Sequence, residues 1–310
     1  MRHLAAVIMA AAIAAPARGG QQPPTEHGFV RAADGVRLYY EKVGSGPVLI
    51  VPGRLFVFEA LRPLADHHTV ISYDMRARGR SDAVSDTLRQ TIQDDVRDLE
   101  RIREFFHADR FTPIGWSYLG LMVVMYATEH PDHVVKLVQL GPVPPRFDAR
   151  YEPLDSGGDN DSVTSRRLSA ELDSLRRSGF AAAHPKEYCE REWVLARRQL
   201  VGRLADTLKL AIRPCDMPNE WPVNVDRQID YSIASISKLR FDRENLRRLT
   251  MPVLTVHGTR DRNAPYGGGR EWASILPNAR LVTIIGAAHA AILERPDIVL
   301  PAIRAFLSHR

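Results

Sequence analysis

The feature that most constrains this chain is the junction at Gly115-Trp116-Ser117, where a strand-like apolar run meets a helical one. Residues 110–114 before it are typical of a strand, and residues 121–127 after it are typical of a buried helix. A tight strand-to-helix turn pushes a serine hydroxyl above the sheet edge, and the first helix amides point at whatever that hydroxyl attacks. The junction predicts an α/β chain with Ser117 as a candidate nucleophile. A structural alternative is that Ser117 only caps the helix.

Two further polar residues follow strand-like runs later in the chain. Asp261 comes shortly after the run at residues 253–256, and His289 comes shortly after the run at residues 280–285. A serine, an acid and a histidine therefore each follow a separate predicted strand. In acyl transfer Ser117 would attack a carbonyl, His289 would take its proton, and Asp261 would orient and stabilise the imidazole.

The chain order Ser, Asp, His resembles that of the α/β-hydrolases, and the likeness covers nearly the whole chain after its first residues. Residues 74–82 resemble the family's Asp-x-Arg-Gly-x-Gly-x-Ser loop, with Ala77 in place of the first glycine. The resemblance is closest to the esterase and prolyl-iminopeptidase branch. It implies a mostly parallel, doubly wound sheet. Because some members supply the acid after the preceding strand, Asp148 is an alternative to Asp261.

The resemblance also implies an oxyanion hole made of backbone amides. Pro52-Gly53-Arg54 occupies the place where the family usually has His-Gly, so the predicted donors are the amides of Arg54 and Tyr118. The Arg54 side chain is either a ligand for a substrate carboxylate or a solvated arginine. Leu119 stands where a second small residue is usual, which makes the serine motif an imperfect match.

Between residues 142 and 249 the alternation of strands and helices stops. Helices are predicted there at residues 165–178, 186–212 and 226–239, in the region where the family carries a helical cap. The predicted organisation is a signal peptide at residues 1–17, a hydrolase core at 18–141 and 250–310, and a cap at 142–249. An aminopeptidase would need acidic side chains in the cap to hold the substrate's amino group. The candidates, which exposed helix charges would equally explain, are Glu187, Glu190 and Glu192.

The first seventeen residues have the anatomy of a secretory signal peptide. A short positive start precedes an apolar run at residues 4–15, and Ala15-Pro16-Ala17 offers a cleavage site. The run is shorter than the roughly 20 residues that a membrane-spanning helix needs. We therefore expect export to the periplasm or the medium after cleavage near Ala17, with no membrane span. In an exported protein Cys189 and Cys215 could pair, although the sequence does not decide this.

Composition disfavours several classes of function. The chain has 310 residues, of which 45% are hydrophobic and 25% charged, as in ordinary globular proteins. The pI of about 9.3 comes from arginines, but no basic run alternates with aromatic residues, so no nucleic-acid partner is expected. Two cysteines without suitably spaced histidines do not make a zinc site, so no metal is expected.

The sequence predicts an exported, cofactor-independent serine hydrolase that cleaves small ester or related acyl substrates. One alternative is an aminopeptidase like the prolyl iminopeptidases, although the His-Gly-Gly-Pro-Gly run of those enzymes is missing. The other is a non-catalytic protein that binds a small molecule on the same fold. The sequence does not predict the oligomeric state.

Overall fold

The computed structural model describes residues 24–84, 86, 89–147, 149–151, 154–155 and 162–309. The predicted signal peptide and Asp148 lie outside these residues. The described strands are β1 (Glu26–Arg31), β2 (Arg37–Val43), β3 (Val48–Pro52), β4 (Thr69–Tyr73), β5 (Thr112–Trp116), β6 (Leu137–Leu140), β7 (Val253–Gly258) and β8 (Ala279–Ile284).

These strands form one sheet in the order β1-β2-β4-β3-β5-β6-β7-β8. The pairs β1–β2 and β2–β4 are antiparallel, and the others are parallel. All residues of β6 and β7 are buried, as expected for continuous apolar runs in the middle of a parallel sheet. The predicted mostly parallel α/β sheet is therefore confirmed.

Helices cover both faces of the sheet. The helices are α1 (Arg54–Leu61), α2 (Ile92–Phe105), α3 (Tyr118–Glu129), α4 (Ser162–Arg177), α5 (Phe180–Ala183), α6 (Pro185–Leu200), α7 (Pro222–Ser237), α8 (Arg243–Arg247), α9 (Tyr266–Ile275), α10 (Ala291–Glu294) and α11 (Pro296–Ser308). One apolar layer packs α2, α3 and α9 on the sheet, and the other packs α1, α10 and α11. No helix of the described ranges is both long and apolar enough to cross a membrane.

The helices α4 to α8 form an insert between β6 and β7. The prediction of one helix over residues 186–212 was wrong beyond Leu200, where α6 ends. A Cβ at Gly202 would lie 2.0 Å from the carbonyl oxygen of Gly286, so the glycine lets the chain bend against the core. Residues Leu204–Lys209 then form a separate 3₁₀ turn. Within the insert a disulfide joins Cys189 and Cys215, whose Cα atoms lie 5.6 Å apart.

A buried ion pair joins the insert to the core. Arg78, in the loop after β4, donates from Nη2 to Glu220 Oε2 at 2.6 Å and from Nε to Oε1 at 3.0 Å. The Gly79 amide donates to the same Oε1 at 2.7 Å, and Arg78 Nη1 donates to Gln228 of α7 at 3.1 Å. The Glu220 side chain is only 2% exposed, so each charge depends on the other for its stabilisation.

Replacing Glu220 with glutamine is expected to lower the free energy of unfolding by about 2 kcal/mol, because it removes the carboxylate that binds the largely buried Arg78 guanidinium. Denaturant unfolding followed by tryptophan fluorescence measures this. The matched control is Glu187→Gln, which breaks an exposed pair with Arg191 and is expected to cost less than about 0.5 kcal/mol. Equal losses of unfolding free energy in the two variants would show that the Arg78–Glu220 pair stabilises the fold no more than an exposed pair does.

Candidate functional site

Ser117 lies at the turn between β5 and α3 in a strained backbone conformation. Its φ of 59° and ψ of −124° lie in a region that residues with a Cβ rarely adopt. The turn is too tight for a side chain at Gly115, where a Cβ would lie 2.2 Å from the Leu119 carbonyl oxygen. The Ser117 amide donates to Leu140 O at 2.9 Å, and the Val143 amide donates to Ser117 O at 3.1 Å. These contacts fix the turn at the carboxyl end of the sheet.

Asp261 and His289 form a buried hydrogen-bonded pair. Nδ1 of His289 lies 2.8 Å from Oδ2 of Asp261, and the two residues are 4% and 0% exposed. The other oxygen of Asp261 accepts the amides of Asn263 at 3.0 Å and Ala264 at 2.8 Å. The carboxylate is thus fixed with Oδ2 toward the imidazole. This leaves Nε2 of His289 as the nitrogen that can take a proton from another group.

The charge of Asp261 is stabilised by its neighbours. Burial alone would raise the pKa of Asp261, but the attraction of His289 and hydrogen bonds from His257 and His289 hold it well below its ordinary value. His257 is fully buried, and its Nε2 lies 2.7 Å from Ala264 O and 3.3 Å from Asp261 Oδ2. His257 therefore packs in the core and also contacts the Asp261 carboxylate.

The structure brings His289 next to the Ser117 turn. The Trp116 indole donates to the His289 carbonyl oxygen at 2.9 Å, and the two ring centroids lie 4.8 Å apart. Ser117 and His289 both line one chamber of about 490 Å³. The three residues predicted from strand ends therefore follow β5, β7 and β8 at the same edge of the sheet.

Two chambers of about 490 Å³ each meet above Ser117, and Phe56 and Trp116 line both of them. The first chamber extends among the insert helices α4, α6 and α7. Its charged lining residues include Asp173, Arg176, Glu192 and Asp226. The second chamber is mainly apolar. Its lining residues include Leu55, Leu119, Val143, Ile233 and Ile236. The insert thus forms much of the wall of both chambers.

The first chamber holds two carboxyl groups, of Glu192 and Asp226, whose pKa values are raised. Burial, and then the charge of Asp226, raise the pKa of Glu192, while burial also raises the pKa of Asp226. Arg176 Nη2 lies 3.6 Å from Glu192 and 3.4 Å from Asp226. Of the three glutamates considered for an amino-group site, Glu192 lines this chamber, whereas Glu187 and Glu190 line a different surface pocket.

The predicted oxyanion donors are the first residues of two helices. Arg54 begins α1 and Tyr118 begins α3, where backbone amides have no partner within the helix. Gly53 precedes Arg54 with φ of 76°, and a Cβ there would lie 2.5 Å from Leu119 Cδ1. The bulky Leu119 therefore fits in place of a small residue because the facing residue is a glycine.

The Arg54 side chain is not solvated, so that interpretation was wrong, and it does not line either of the two chambers. It is 12% exposed, and Nη1 lies 3.3 Å from Glu41 Oε1. Nη2 donates to Asp74 Oδ2 at 3.3 Å. The guanidinium instead ties the start of α1 to β2 and to the loop after β4.

A sequence model of the α/β hydrolase fold matches residues 46–296. The chain belongs to the α/β-hydrolase fold family. It is 24% identical over 259 residues to a proline iminopeptidase of Pestalotiopsis fici, covering 81% of this chain and 85% of that one. An esterase from Exiguobacterium antarcticum has the same fold with a TM-score of 0.63 and 18% identity, covering 91% of this chain and 99% of that one.

Another relative is much longer than this chain, and the match covers most of this chain but only a small part of the relative. This chain is 29% identical over 286 residues to a polyketide synthase of Burkholderia thailandensis, and the match covers 88% of this chain. This chain spans only 12% of that protein's length. The family's fold indicates a hydrolase, and these relatives differ in the reactions for which they are named.

One departure from the α/β-hydrolase pattern is accommodated in the backbone. Ala77, in place of the loop's first glycine, has φ of 57°, so it keeps a left-handed conformation that glycine adopts more easily.

Among the described residues the one group of possible metal ligands is Glu100, His130 and His133, with donor atoms within 4.8 Å. Glu100 lies on α2, His130 and His133 follow the far end of α3, and Arg103 and Tyr126 already bind the Glu100 carboxylate. This group therefore lies at the opposite end of α3 from Ser117.

Asp95 and Glu220 are polar residues near the site that were not predicted from the sequence. Asp95 is fully buried on α2, where Ile92, Val96 and Leu99 form the apolar face. A carboxylate on the apolar face of an amphipathic helix was the available signal. Glu220 gave no comparable signal, because its partner Arg78 is more than a hundred residues away.

Replacing Ser117 with glycine is expected to raise the free energy of unfolding by about 1 kcal/mol. Relief of the positive-φ strain gains about 1–3 kcal/mol, and the extra freedom of glycine in the unfolded chain offsets about 0.5–1 kcal/mol. Thermal and urea unfolding measure the change. Ser117→Ala is the matched control, because it removes the hydroxyl and keeps the Cβ. A glycine variant no more stable than the alanine variant would show that the turn is not strained.

Proposed function

We propose that this protein is a serine hydrolase that cleaves small esters or related acyl substrates through Ser117, His289 and Asp261. The observation that carries the proposal is the buried 2.8 Å contact between His289 Nδ1 and Asp261 Oδ2 beside the chamber that Ser117 lines. It gives the imidazole an ionised partner and a defined orientation. Those are the two conditions that a histidine needs to act as a general base on a serine.

The proposed reaction has two halves. Ser117 Oγ attacks the substrate carbonyl while His289 Nε2 takes the hydroxyl proton, and the charge that develops on oxygen lies near the Arg54 and Tyr118 amides. His289 then returns the proton to the departing alcohol as the carbon–oxygen bond breaks. A water molecule, deprotonated by His289, attacks the acyl-serine, and His289 returns this proton to Ser117 Oγ as the bond to the acyl group breaks and the acid is released. Asp261 stays ionised throughout and stabilises the imidazolium.

The chambers indicate how a substrate is oriented in this proposal. The apolar chamber suits an alkyl or aryl acyl group, because its lining includes Leu55, Leu119 and Ile236. The charged chamber suits a more polar leaving group. We assign the insert at residues 142–249 the role of a cap that determines specificity, since α4, α6 and α7 line the charged chamber and α7 also lines the apolar one.

Substitution of the three proposed catalytic residues is expected to abolish turnover without loss of the fold. Ser117→Ala and His289→Ala are expected to lower kcat for a nitrophenyl ester by at least about 10⁴-fold, and Asp261→Asn by roughly 10³–10⁴-fold. Steady-state kinetics and circular dichroism measure activity and folding. Unchanged turnover in one folded variant would remove that residue from the mechanism.

A fluorophosphonate probe separates an enzyme from a binding protein on the same fold. The wild type is expected to be labelled, and Ser117→Ala is expected to lose the label. A folded wild type that takes up no label and cleaves no ester of a broad panel would favour the binding protein.

A second candidate function is an aminopeptidase that removes an N-terminal residue. The observation that favours it is the location of Glu192 and Asp226 in the chamber shared by Ser117 and His289. A substrate ammonium placed between these carboxylates would stabilise their ionised forms. Arg176, which lies near both, already supplies a positive charge, and for this reason the esterase remains the first proposal.

Comparison of nitrophenyl butyrate with proline-nitroanilide distinguishes the two functions. An esterase is expected to prefer the ester by a large factor, and Glu192→Gln is expected to change its KM for the uncharged ester less than threefold. An aminopeptidase is expected to cleave the anilide and to lose roughly tenfold or more in kcat/KM in Glu192→Gln, since a charged contact is lost. Glu190→Gln is the control, because Glu190 lines a different pocket.

We also propose that the protein is exported, as the first seventeen residues indicate. The disulfide between Cys189 and Cys215 supports this proposal, because disulfides persist in oxidising compartments. Export would place the acyl substrate outside the cytoplasm.

A further inference from the structure

A second buried carboxylate, that of Asp95, is hydrogen-bonded to the residue that follows the proposed nucleophile. The hydroxyl of Tyr118, the residue after Ser117, donates to Asp95 Oδ2 at 2.7 Å. Asp95 is 2% exposed and belongs to α2, whereas Tyr118 begins α3. The residue with the proposed oxyanion amide is therefore tied through its own side chain to a neighbouring helix of the core.

The same tyrosine reaches the insert. Burial raises the pKa of the Tyr118 hydroxyl, and the nearby hydroxyls of Ser232 and Ser235 on α7 partly oppose this. Ser235 accepts the Ile92 amide at the start of α2 at 3.2 Å, and Ser232 accepts an N–H of Gln228 at 2.9 Å. Tyr118 thus lies where α2, α3 and the insert helix α7 meet.

Several charged and titratable groups face Asp95 from the elements packed against it. They are Asp94 and Asp98 on α2, Arg76 and Arg78 in the loop after β4, Tyr73 on β4 and Tyr118 on α3. Burial, which outweighs the hydrogen bond from Tyr118, raises the pKa of Asp95 to about 7. The carboxyl group therefore changes charge near neutral pH, unlike Asp261.

We propose that Asp95 is a positioning residue for the reaction, which holds the Tyr118 amide in place through the Tyr118 hydroxyl and does so most firmly when it is ionised. The proposal rests on the serine-hydrolase function proposed above. A hydrogen bond to a carboxylate is roughly twice as strong as one to a neutral acid. Loss of the charge loosens the start of α3, and with it an amide needed only when the oxyanion forms. The effect therefore falls on kcat and leaves KM unchanged.

Asp95→Asn tests the proposal, because it removes the charge and keeps an oxygen that can accept from Tyr118. With nitrophenyl acetate as the probe, kcat at pH 8 is expected to fall roughly tenfold, with KM within twofold of the wild type. At pH 5.5, where Asp95 is protonated in the wild type, the two proteins are expected to differ less than threefold. Tyr118→Phe, which loses the hydroxyl, is expected to reproduce the fall at pH 8.

Tyr126→Phe is the matched control. The Tyr126 hydroxyl donates to Glu100 at 2.6 Å, so it joins the same two helices with the same chemistry two turns farther from Ser117. Its kcat is expected to equal that of the wild type at both pH values. An Asp95→Asn kcat at pH 8 that is unchanged or raised overturns the proposal, and so does a fall of the same size at both pH values or in Tyr126→Phe.

The pH dependence of stability tests the ionisation of Asp95 without using activity. Because the folded pKa lies above the unfolded value, the stability that Asp95 contributes is complete below about pH 4 and is lost as the pH rises through about 7. The Asp95→Asn variant is therefore expected to gain stability relative to the wild type between pH 4 and pH 8. Parallel stability curves overturn the inference even if the wild type is an active hydrolase. Absence of both ester turnover and fluorophosphonate labelling in the wild type overturns the proposed function instead, and with it the coupling to the reaction.

Discussion

A single backbone conformation at Ser117 governs the arrangement of the surrounding elements. The positive φ reverses the chain between β5 and α3 within one residue, which places a side chain, a helix end and a sheet edge at one point. Such a conformation costs about 1–3 kcal/mol and persists only when its neighbours fix it. Here hydrogen bonds to Leu140 and Val143 and the burial of α3 hold the conformation. The absence of a Cβ at Gly115 leaves room for the turn. The turn at Ser117 also affects the start of α1, where Gly53 makes room for the Leu119 side chain.

Buried polar contacts, beside apolar packing by residues such as Ile236 and Leu246, attach the insert to the core. Arg78 and Glu220 join the core to the insert, and Tyr118 joins Asp95 to the region of α7. Buried polar contacts fix orientation, although they contribute less net stability than well-packed apolar groups. At Asp95 orientation and stability oppose each other, because the ionised form that binds Tyr118 best is also the form that burial penalises. In the proposed enzyme the site would be positioned at the expense of stability.

The positions along the sheet edge could be predicted from the sequence, because continuous apolar runs mark buried strands and the residues after them lie at one edge. Ser117, Asp261 and His289 were found in this way. Contacts between distant segments could not be predicted by the same reasoning. Nothing local indicates that Arg54 pairs with Glu41 and Asp74, or that Glu220 lies beside Arg78. The helix prediction beyond Leu200 failed for a related reason, since the bend depends on the Gly286 backbone of the core.

The separation of the cavity into two chambers has a kinetic consequence for the proposed reaction. Both chambers open at Ser117, and each is large enough for a small organic group. The two fragments of a cleaved substrate would then occupy different spaces, so the first could depart while the second remains attached to the serine. An inhibitor that fills one chamber would leave room for a ligand in the other, and two linked fragments could occupy both chambers at once.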